Sequence, residues 1–312
     1  MKNNFYKLKV IRSGLLTTIQ DNGFINHQHI GITTGGAMDQ YLYTLGNNIL
    51  LNKDSLPSIE FSQIGPKLLV DSGSLNIVIT GNVNFILKIN GIKFKGLINK
   101  TYYLIKNDEI DILNTQNSNY GYLSIKNGII TTSFKSSFST LLTPKIGGNN
   151  GNKITINQII KGYSSKKISN KIFKYCHENE DNSIRVIKGP QMNFFKIKDI
   201  KKFFDKKFTI SKNINRTGIR LINNVIKPLK SFNIDSEGIV KGSVQVPGDG
   251  NPIVLTNDHP TIGGYPKIAT VIINDYNKLI QMQPKTQFYF KEISIKEAES
   301  LYLKYKKKLF KN

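Results

Sequence analysis

Asn84-Phe-Ile-Leu-Lys-Ile-Asn-Gly-Ile-Lys-Phe-Lys-Gly96 is the stretch whose pattern decides the fold class of this chain. Apolar side chains occupy every second position on each side of Asn90-Gly91, at Phe85, Leu87 and Ile89 and then at Ile92 and Phe94. Because Asn-Gly accepts positive φ at both central positions of a two-residue turn, the stretch predicts a β-hairpin with a type I′ turn.

The rest of the chain repeats this β signature on both sides of the hairpin. Short apolar runs bounded by turn-forming residues predict further strands at Leu75–Thr80, Tyr120–Ile125, Ile184–Ile187, Val244–Val246, Pro252–Leu255, Ile268–Ile273 and Phe288–Phe290. Pro247-Gly-Asp-Gly250 predicts a tight connection between two of them. The chain is therefore predicted to be mainly β.

Helical patterns are few. Asp39 is placed to cap a helix that reaches about Leu50. A second pattern, Gln191–Phe204, has apolar residues at helical spacing that begin with Ile197. A Ser-x-x-Glu capping box that starts at Ser294 predicts a C-terminal helix with an apolar stripe.

Length and composition predict a globular protein of two domains. The chain has 312 residues, of which 39% are hydrophobic. The region 162–182 is rich in Ser, Lys and Asn and lacks a convincing strand pattern, so we interpret it as the connection between two domains. The predicted division is an N-terminal β domain at 1–170 and a C-terminal β domain at 171–312 that ends in the helix.

The net charge of +23 raises the question of nucleic-acid binding. Only four of the 44 basic residues are arginine, and the lysines are spread along the whole chain. A nucleic-acid footprint more often concentrates arginine and lysine on one face beside exposed aromatic residues. We therefore expect no nucleic-acid partner.

The cellular location is predicted from the absence of targeting and membrane-spanning segments in the sequence. No apolar run approaches the length that spans a bilayer, and the N-terminal residues lack the apolar core of a secretory signal. The single cysteine, Cys176, excludes an internal disulfide and suits a reducing compartment. We expect a cytoplasmic protein that does not contact a membrane.

The polar loop Asn257–Ala269 is the first candidate site. It lies between two predicted buried strands and combines a carboxylate, an imidazole, two hydroxyls and an ammonium, in Asp258, His259, Thr261, Tyr265 and Lys267. Gly263 and Gly264 can take positive φ and let the backbone approach a ligand. Rigid polar loops on apolar scaffolds often carry binding or chemistry. An ordinary hydrophilic turn is the alternative interpretation.

A second constellation precedes the first predicted helix. Paired glycines at Gly35-Gly36 leave backbone N–H groups available to an anion at the helix N-terminus. Asp39 at that position either caps the helix or takes part directly in catalysis. Gln20 and Asp21 either position a substrate amide or close a turn.

Two arginines form a third candidate. Arg216 and Arg220 stand within five residues in a chain that is poor in arginine. They fit a bidentate grip on a carboxylate or phosphate, or else a structural salt bridge between domains.

Metal and cysteine chemistry find little support. His27 and His29 share a polar loop without a nearby carboxylate or thiol, and Cys176 has only His177 beside it. We therefore predict neither a metal site nor a cysteine nucleophile.

The order of several motifs resembles a known family. The motifs are Thr-Thr-Ile-Gln-Asp-x-Gly from Thr17, Gly-Ala-Met-Asp from Gly36, Ile-Asn-Gly from Ile89, Arg-x-Gly-x-Arg-Leu from Arg216, Ser-Glu-Gly from Ser236, Gln-Val-Pro-x-Asp-Gly-x-Pro-Ile from Gln245, and Thr-x-Gly-Gly-Tyr-Pro-Lys-Ile-Ala from Thr261. Between about Val10 and Ala298 the chain is similar to the C subunit of bacterial 5-oxoprolinase. That protein is a member of the biotin-dependent carboxyltransferase, or allophanate hydrolase subunit 2, family.

The resemblance implies two cyclophilin-like β-barrel domains with a few short helices. It implies one component of an ATP-dependent amidohydrolase that opens the lactam of 5-oxo-L-proline to L-glutamate. The 5-oxoprolinase partners implied are an A subunit of the LamB/YcsF type and a B subunit of the KipI type. ATP is bound by this chain or together with those partners, and no biotin is expected on this chain.

The resemblance and the residue types together assign hypothetical roles. Lys267 would supply a cation for phosphoryl oxygens, Asp258 a base that guides water, and Asp39 a further catalytic group. The substrate-binding residues would be Gln20, Gly263, Gly264, Tyr265, Thr261, His259, Gln245, Arg216 and Arg220. Asp39 and Gln20 are expected to face the distal loop across a cleft between the domains.

The chain also departs from the family pattern. Phe24, Phe138 and Asn152 stand where the family usually has arginine, and Thr217 stands where it usually has methionine. The three missing arginines all lie in the N-terminal half, so they concern anion binding by the first domain.

Two other functions remain open. One is a KipA-like regulatory protein that binds a kinase inhibitor. The other is a urea-type carboxyltransferase, which predicts a biotin carrier and a biotin carboxylase as partners.

Overall fold

A computed structural model describes residues 4–53, 56–169, 172, 182–229 and 232–310. These described residues divide into two units, residues 4–24 with 35–172, and residues 25–34 with 182–310. The predicted division between residues 170 and 171, with Cys176 and His177, lies outside the described residues and stays a prediction. Nothing in the sequence indicated that Ile25–Thr34 groups with the second unit.

The first unit contains two antiparallel sheets and one helix. Its strands are β1 (Phe5–Arg12), β2 (Leu16–Gln20), β3 (Ser58–Ser62), β4 (Lys67–Ser72), β5 (Ser74–Thr80), β6 (Val83–Ile89), β7 (Ile92–Lys95), β8 (Tyr102–Ile105), β9 (Glu109–Thr115), β10 (Tyr120–Ile125) and β11 (Ile159–Tyr163). One sheet has the order β11-β1-β4-β9-β6-β7, and the other has the order β2-β3-β10-β5-β8.

The predicted hairpin is confirmed in register. Strands β6 and β7 pair antiparallel, with Leu87 opposite Phe94 and Ile89 opposite Ile92. Asn90 and Gly91 take φ values of 51° and 84°, as a type I′ turn requires. Alternate residues of the two sheets bury their side chains in one core, which includes Leu8, Phe61, Ile77, Phe85 and Ile110.

The second unit is a closed barrel of seven strands. Its strands are β12 (Ser183–Lys188), β13 (Phe208–Ile214), β14 (Gly218–Ile222), β15 (Glu237–Gly238), β16 (Ser243–Gln245), β17 (Ile253–Leu255), β18 (Ile262–Gly263), β19 (Lys267–Val271) and β20 (Gln287–Glu292). The barrel order is β12-β19-β16-β17-β14-β13-β20, and a parallel pairing of β12 with β20 closes it. Strands β15 and β18 form a separate two-stranded sheet.

Aromatic residues fill one side of the barrel core. The rings of Phe203 and Phe290 stack with centroids 4.6 Å apart, and Phe208 packs against both. Phe288 meets Phe290 edge-on at 5.0 Å. The predicted mainly β class is therefore confirmed, with a β-barrel in the second unit. The predicted connection Pro247–Gly250 is also confirmed, since the Gly250 N–H donates to the Pro247 carbonyl at 2.8 Å.

The helices are α1 (Gln40–Ile49), α2 (Ile197–Asp205), α3 (Ile273–Gln281) and α4 (Ile295–Phe310). Asp39 caps α1 by accepting from the Leu42 N–H at 3.0 Å, as predicted. The predicted capping box is confirmed in part, because the Glu297 N–H donates to the Ser294 hydroxyl at 3.2 Å. Helix α4 packs on α3 within the second unit, where the Asn274 amide donates to the Leu301 carbonyl at 3.0 Å.

One predicted helix starts later than expected, and one helix was not predicted. Helix α2 begins six residues later than predicted, and Ile197 is 75% exposed while Asp199 and Phe203 are buried. Helix α3 was missed, because its first residue, Ile273, ends an apolar run that the sequence pattern assigned to a strand. None of the described helices combines the length and apolar character needed to cross a membrane.

Candidate functional site

The polar loop that follows β17 is shorter than predicted and contains a strand. It leaves the barrel at Asn257, forms β18 at Ile262–Gly263 and re-enters the barrel at Lys267, the first residue of β19. Lys267 is therefore a strand residue, which corrects the predicted loop Asn257–Ala269. The pairing of β15 with β18 places Glu237 opposite Gly263. This loop brings several of the predicted site residues together.

Arg216 and Asp258 form a bidentate ion pair. The Arg216 Nε donates to one Asp258 carboxylate oxygen and Nη2 to the other, each at 2.8 Å. The Asp258 N–H also donates to the Arg216 carbonyl at 2.6 Å. The two side chains are 5% and 16% exposed, so the pair is largely shielded from water. Such a fork fixes the guanidinium in one plane.

Arg220 takes a different carboxylate. Its guanidinium contacts Asp249 in the turn between β16 and β17. The predicted arginine pair is thus two separate ion pairs within the second unit, and each guanidinium already holds a carboxylate of its own chain. Salt bridges were the alternative prediction, but these lie within the second unit, and a bidentate grip on a ligand carboxylate or phosphate stays a prediction.

Lys267 and Glu237 form a third ion pair, which sequence reasoning missed. The Lys267 side chain is 5% exposed, whereas Glu237 is 43% exposed and reaches solvent. The Gln191 amide holds both partners, because its Nε2 donates to the Glu237 carboxylate at 2.6 Å and its Oε1 accepts from the Lys267 N–H at 3.1 Å. The hydrogen bond from Lys267 lowers the pKa of the Glu237 carboxyl.

Gln245 lies beside the Lys267–Glu237 pair. It is the register partner of Lys267 in the β16–β19 pairing and is buried. Its side-chain Nε2 is buried and has no hydrogen-bond partner among the described residues. A Cβ added at Gly263 would lie 2.7 Å from that nitrogen. The glycine therefore leaves room for the Gln245 amide.

Gly263 and Gly264 do not adopt the positive φ values that were predicted to bring the backbone close to a ligand. Neither takes a positive φ. The backbone of this segment instead makes hydrogen bonds that hold the loop. The Gly264 carbonyl accepts from the Ile234 N–H at 2.8 Å, and the Thr261 carbonyl accepts from the Ile239 N–H at 3.2 Å. Tyr265 is 40% exposed at the end of this segment.

His259 is buried with one ring nitrogen satisfied. Its Nδ1 lies 2.5 Å from the Pro260 carbonyl, and because a carbonyl only accepts, Nδ1 carries the proton. The Nε2 lone pair is buried without a partner among the described residues. Burial lowers the pKa of the imidazole, so His259 is neutral at pH 7.

Lys241, another residue that sequence reasoning missed, lies near this imidazole. Its ammonium sits 4.8 Å from the ring centroid of Tyr276, and the Tyr276 hydroxyl donates to the Asn257 side chain at 2.6 Å. Burial, with the nearby Arg216 charge, lowers the pKa of Lys241 to about 8. The quoted Ser-Glu-Gly motif contains Glu237, but sequence reasoning did not join the partners of either cluster, because they lie tens of residues apart in the chain.

The remaining predicted residues lie in the first unit. Gln20 is buried, and its Nε2 donates to the Thr18 hydroxyl at 3.0 Å and to the Thr140 carbonyl at 3.1 Å. Asp39 is buried at the start of α1, where its N–H donates to the Tyr122 hydroxyl at 2.8 Å. Their predicted position opposite the distal loop stays a prediction.

The predicted anion site at the start of α1 is occupied by the chain itself. The Ala37 N–H donates to the Asp21 carbonyl at 2.9 Å, and the Met38 N–H donates to the Glu60 carboxylate at 2.8 Å. Asp21 closes a turn, which was one of its two predicted roles, by accepting from the Gly23 N–H at 2.8 Å. No group of three or more His, Cys, Asp or Glu in the described part of the chain is arranged to hold a metal ion.

Comparison with known proteins identifies the family. The model of the carboxyltransferase domain, subdomains A and B, matches residues 30–292. The chain belongs to this carboxyltransferase family. The family resemblance in the sequence is thereby confirmed, and the match covers both units.

Two relatives that are each named as the C subunit of 5-oxoprolinase match nearly end to end. The one from Escherichia coli is 28% identical over 296 residues, which cover 93% of each chain. The one from Haemophilus influenzae is 29% identical over 285 residues, covering 91% of this chain and 90% of the relative.

The carboxyltransferase family also includes much longer proteins. The urea amidolyase of Lachancea kluyveri is 26% identical over 321 residues, which cover 94% of this chain and 17% of the relative. The crystal structure of the K. lactis urea amidolyase superposes with a TM-score of 0.88 at 25% identity, over 99% of this chain and 20% of that chain. This chain therefore spans about a fifth of those proteins.

Proposed function

We propose that this chain is one component of an ATP-dependent 5-oxoprolinase complex that opens the lactam of 5-oxo-L-proline to L-glutamate. The observation that carries the proposal is the match over 93% of both chains to a relative named as the C subunit of 5-oxoprolinase. The urea amidolyases match the same region as only a small part of a longer protein. The partners would be the A and B subunits of 5-oxoprolinase, of the LamB/YcsF and KipI types.

The reaction needs activation because amide resonance makes a lactam carbonyl a poor electrophile. In the proposed sequence the carbonyl oxygen takes the terminal phosphoryl group of ATP, and ADP leaves. Water then adds to the carbon, and the ring C–N bond breaks to give an acyl phosphate. A second water releases phosphate and glutamate. This chain does not need to bind ATP alone, and the complex as a whole would hold it.

The Lys267–Glu237 pair is the proposed centre of the site. Glu237 reaches solvent as a carboxylate, so it can accept a proton from attacking water. The buried Lys267 ammonium holds that carboxylate and so positions the proposed base. Gln191 fixes the two groups relative to each other.

Asp258 takes a different role from the base predicted for it. Both of its carboxylate oxygens accept from Arg216, which favours a role in orienting the guanidinium. Glu237 is not bound by an arginine through both carboxylate oxygens. Its side chain is also more exposed, at 43% against 16% for the Asp258 side chain. We therefore assign the base to Glu237 and the positioning role to Asp258.

The test is co-expression with the two 5-oxoprolinase partners, followed by an assay of ADP release that depends on 5-oxoproline. Lys267→Ala and Glu237→Gln are expected to lower the turnover number by roughly 100-fold, the range of a lost charged or acid–base group. The matched control is Lys188→Ala, which removes a lysine from a surface ion pair with Glu292 whose side chains are 64% and 41% exposed. This variant should keep full activity.

The outcomes separate two conclusions. If the complex without this chain releases as much ADP as the complete complex, the proposed function is wrong. If the complex needs this chain but Lys267→Ala keeps full activity, the function stands and the assignment of Lys267 is wrong.

A second candidate is urea-type carboxyltransfer from a carboxylated biotin carrier. The superposition on the K. lactis urea amidolyase over 99% of this chain favours it. It predicts that the protein consumes carboxylated biotin carrier in the presence of urea. It also predicts that 5-oxoproline causes no ADP release when the two 5-oxoprolinase partners are present.

A further inference from the structure

The chain contains four Asn-Gly dipeptides, which begin at Asn22, Asn90, Asn127 and Asn150. Such a dipeptide is chemically labile, because glycine has no side chain to shield its backbone nitrogen and lets the chain rotate freely. The nitrogen of the glycine attacks the side-chain amide of the asparagine only when it is not held by an acceptor and the peptide between the two residues can turn. The fold therefore decides which of the four pairs reacts.

The Asn90-Gly91 turn at the tip of the β6–β7 hairpin leaves this reaction open. Both residues are exposed. Neither the Asn90 side chain nor the Gly91 N–H makes a hydrogen bond to any residue that the structure describes. A Cβ built on Gly91 would meet no atom within 4 Å, so the peptide between the two residues has space to turn.

Two of the other glycine nitrogens, those of the first and third pairs, are already donors. The Gly23 N–H donates to the Asp21 carboxylate at 2.8 Å. The Gly128 N–H donates to the Ile125 carbonyl at 3.0 Å. Each nitrogen must break that bond before it can lose its proton and attack.

The fourth pair is fixed by packing and by hydrogen bonds on both sides of Asn150. Its N–H donates to the Thr132 hydroxyl at 2.9 Å, and its carbonyl accepts from the Asn152 side chain at 2.9 Å. Gly151 is buried, and a Cβ there would collide with the backbone of Lys145. Turning the peptide after Asn150 would break the bond from Asn152 and push the chain against its neighbour.

We propose that Asn90 is the site at which the folded chain deamidates. The Gly91 nitrogen gives its proton to water or hydroxide and forms a bond to the side-chain carbonyl carbon of Asn90. The carbon–nitrogen bond of the side-chain amide breaks, and the amide nitrogen takes up a proton and leaves as ammonia. Water then opens the resulting five-membered succinimide at either carbonyl, which gives aspartate or isoaspartate. The inference is independent of the proposed function.

The product would weaken the hairpin. Isoaspartate continues the chain through its side chain, so it lengthens the backbone of a turn whose geometry fits two ordinary residues. The new carboxylate also lies beside that of Asp108, which accepts from the Asn90 N–H at 2.9 Å. Strand β7 is the outermost strand of its sheet and has β6 as its partner, so it would lose protection first.

The experiment is incubation of the folded chain at mildly alkaline pH, followed by peptide mapping with mass spectrometry. A parallel incubation in urea makes all four pairs accessible. The ratio of the unfolded to the folded rate at each pair then measures the protection that the fold provides. We expect the smallest ratio at Asn90, by roughly fivefold against each other pair, which is the factor for one hydrogen bond that must first break.

Two matched variants assign the reaction to the named residue. Asn90→Gly removes the reactive amide and keeps the turn, because Gly-Gly also supports type I′ geometry. It should remove most of the early ammonia release of the folded chain. The control Asn127→Gly also replaces an asparagine of positive φ, 67°, and should leave that release unchanged. Circular dichroism melting verifies that both variants fold.

Three results would overturn the inference. They are a smaller protection ratio at any of the other three pairs, unchanged early ammonia release from Asn90→Gly, and an equal reduction of that release in Asn127→Gly.

Discussion

The Arg216 guanidinium holds both oxygens of the Asp258 carboxylate at 2.8 Å, in a pair that is only 5% and 16% exposed. Four residues further along the chain, Arg220 makes the corresponding contact with Asp249, but those side chains are 30% and 45% exposed. The chain thus contains a shielded and an exposed Arg–Asp pair on the same strand region. This contrast allows a controlled test of how burial changes the contribution of an Arg–Asp ion pair to the free energy of unfolding.

Asp258→Asn is predicted to destabilise the second unit by about 3 kcal/mol, because it leaves the buried Arg216 charge without its partner. Asp249→Asn, the matched control, should cost less than about 1 kcal/mol, because water replaces the lost partner of an exposed pair. Urea-induced unfolding at pH 7 measures both changes. Equal losses of stability in the two variants would contradict the structural distinction between the pairs.

The Lys267–Glu237 pair is predicted to give a pH-dependent contribution to stability. The pKa of Glu237 is lowered by the hydrogen bond from Lys267, so the folded state favours the ionised carboxylate. That contribution is fully present above the ordinary carboxyl pKa of 4.5 and is lost as the pH falls through the lowered folded value. Glu237→Gln should therefore be less stable than the unchanged chain at pH 7 and should approach it in stronger acid.

Urea unfolding of both proteins between pH 7 and the lowest pH at which they fold checks this prediction. All other carboxylates are shared, so their titration cancels in the difference. A difference that is the same throughout that range would show that Lys267 does not hold Glu237 in its ionised form.

Lys241 is predicted to produce a second rise of stability with pH, in the alkaline range. Its pKa is lowered from 10.5 to about 8, so between these values the unfolded chain binds a proton that the folded chain has lost. Stability rises with pH wherever the unfolded state binds more protons. The free energy of unfolding of the unchanged chain, relative to Lys241→Met, should therefore increase between about pH 8 and 10.5 and stay level below pH 8.

The comparison with Lys241→Met isolates this one ammonium. The charged and titratable groups that act on or contact Lys241, which are Arg216, His259 and Tyr276, are present in both proteins. A stability difference that does not change from pH 7 to 10.5 would contradict the assigned environment of Lys241.

Gly263→Ala is predicted to destabilise the chain by about 1 kcal/mol, a typical cost of inserting a methyl group into a filled space. The added Cβ would lie 2.7 Å from the Gln245 Nε2 and 3.1 Å from the Ile239 Cδ1. Removing the Gln245 side chain should relieve the closer contact. In a Gln245→Ala background the same change at Gly263 is therefore expected to be nearly neutral.

Gly238→Ala provides the control for this cycle. Gly238 lies in β15, the strand paired with β18, and an added Cβ there meets no atom within 4 Å. This substitution should be neutral or slightly stabilising, because it reduces the freedom of the unfolded chain. An equal loss at Gly238 and Gly263 would show that the Gln245 contact is not the cause.

Local chemistry explains why much of the fold was predictable. Asn90-Gly91 determines its own turn, because few other residue pairs accept two positive φ values in succession. Asp39 determines the start of α1 in the same local way, with a side chain that reaches the Leu42 N–H. Features within a few residues of each other leave a signal that periodicity and capping rules detect.

Packing over longer distances explains the errors. The apolar spacing in α2 pointed to a face that includes Ile197, but the barrel selects the face of Phe203, whose ring stacks on Phe290 at 4.6 Å. The last residue of the apolar run Ile268–Ile273 starts α3, because the strand ends at Val271. The spacing of apolar residues along the chain does not determine which neighbouring element a side chain packs against.

The sequence by itself determined the β class, the hairpin, the caps and the family, since each depends on residues that are adjacent or on ordered motifs along the chain. The tertiary structure alone decided which charges meet: Arg216 with Asp258, Lys267 with Glu237, and Lys241 with the Tyr276 ring. These partners lie tens of residues apart in the chain, and only the closure of the barrel and the pairing of β15 with β18 bring them within reach. Electrostatic contacts depend on distance in space, which a linear pattern does not encode.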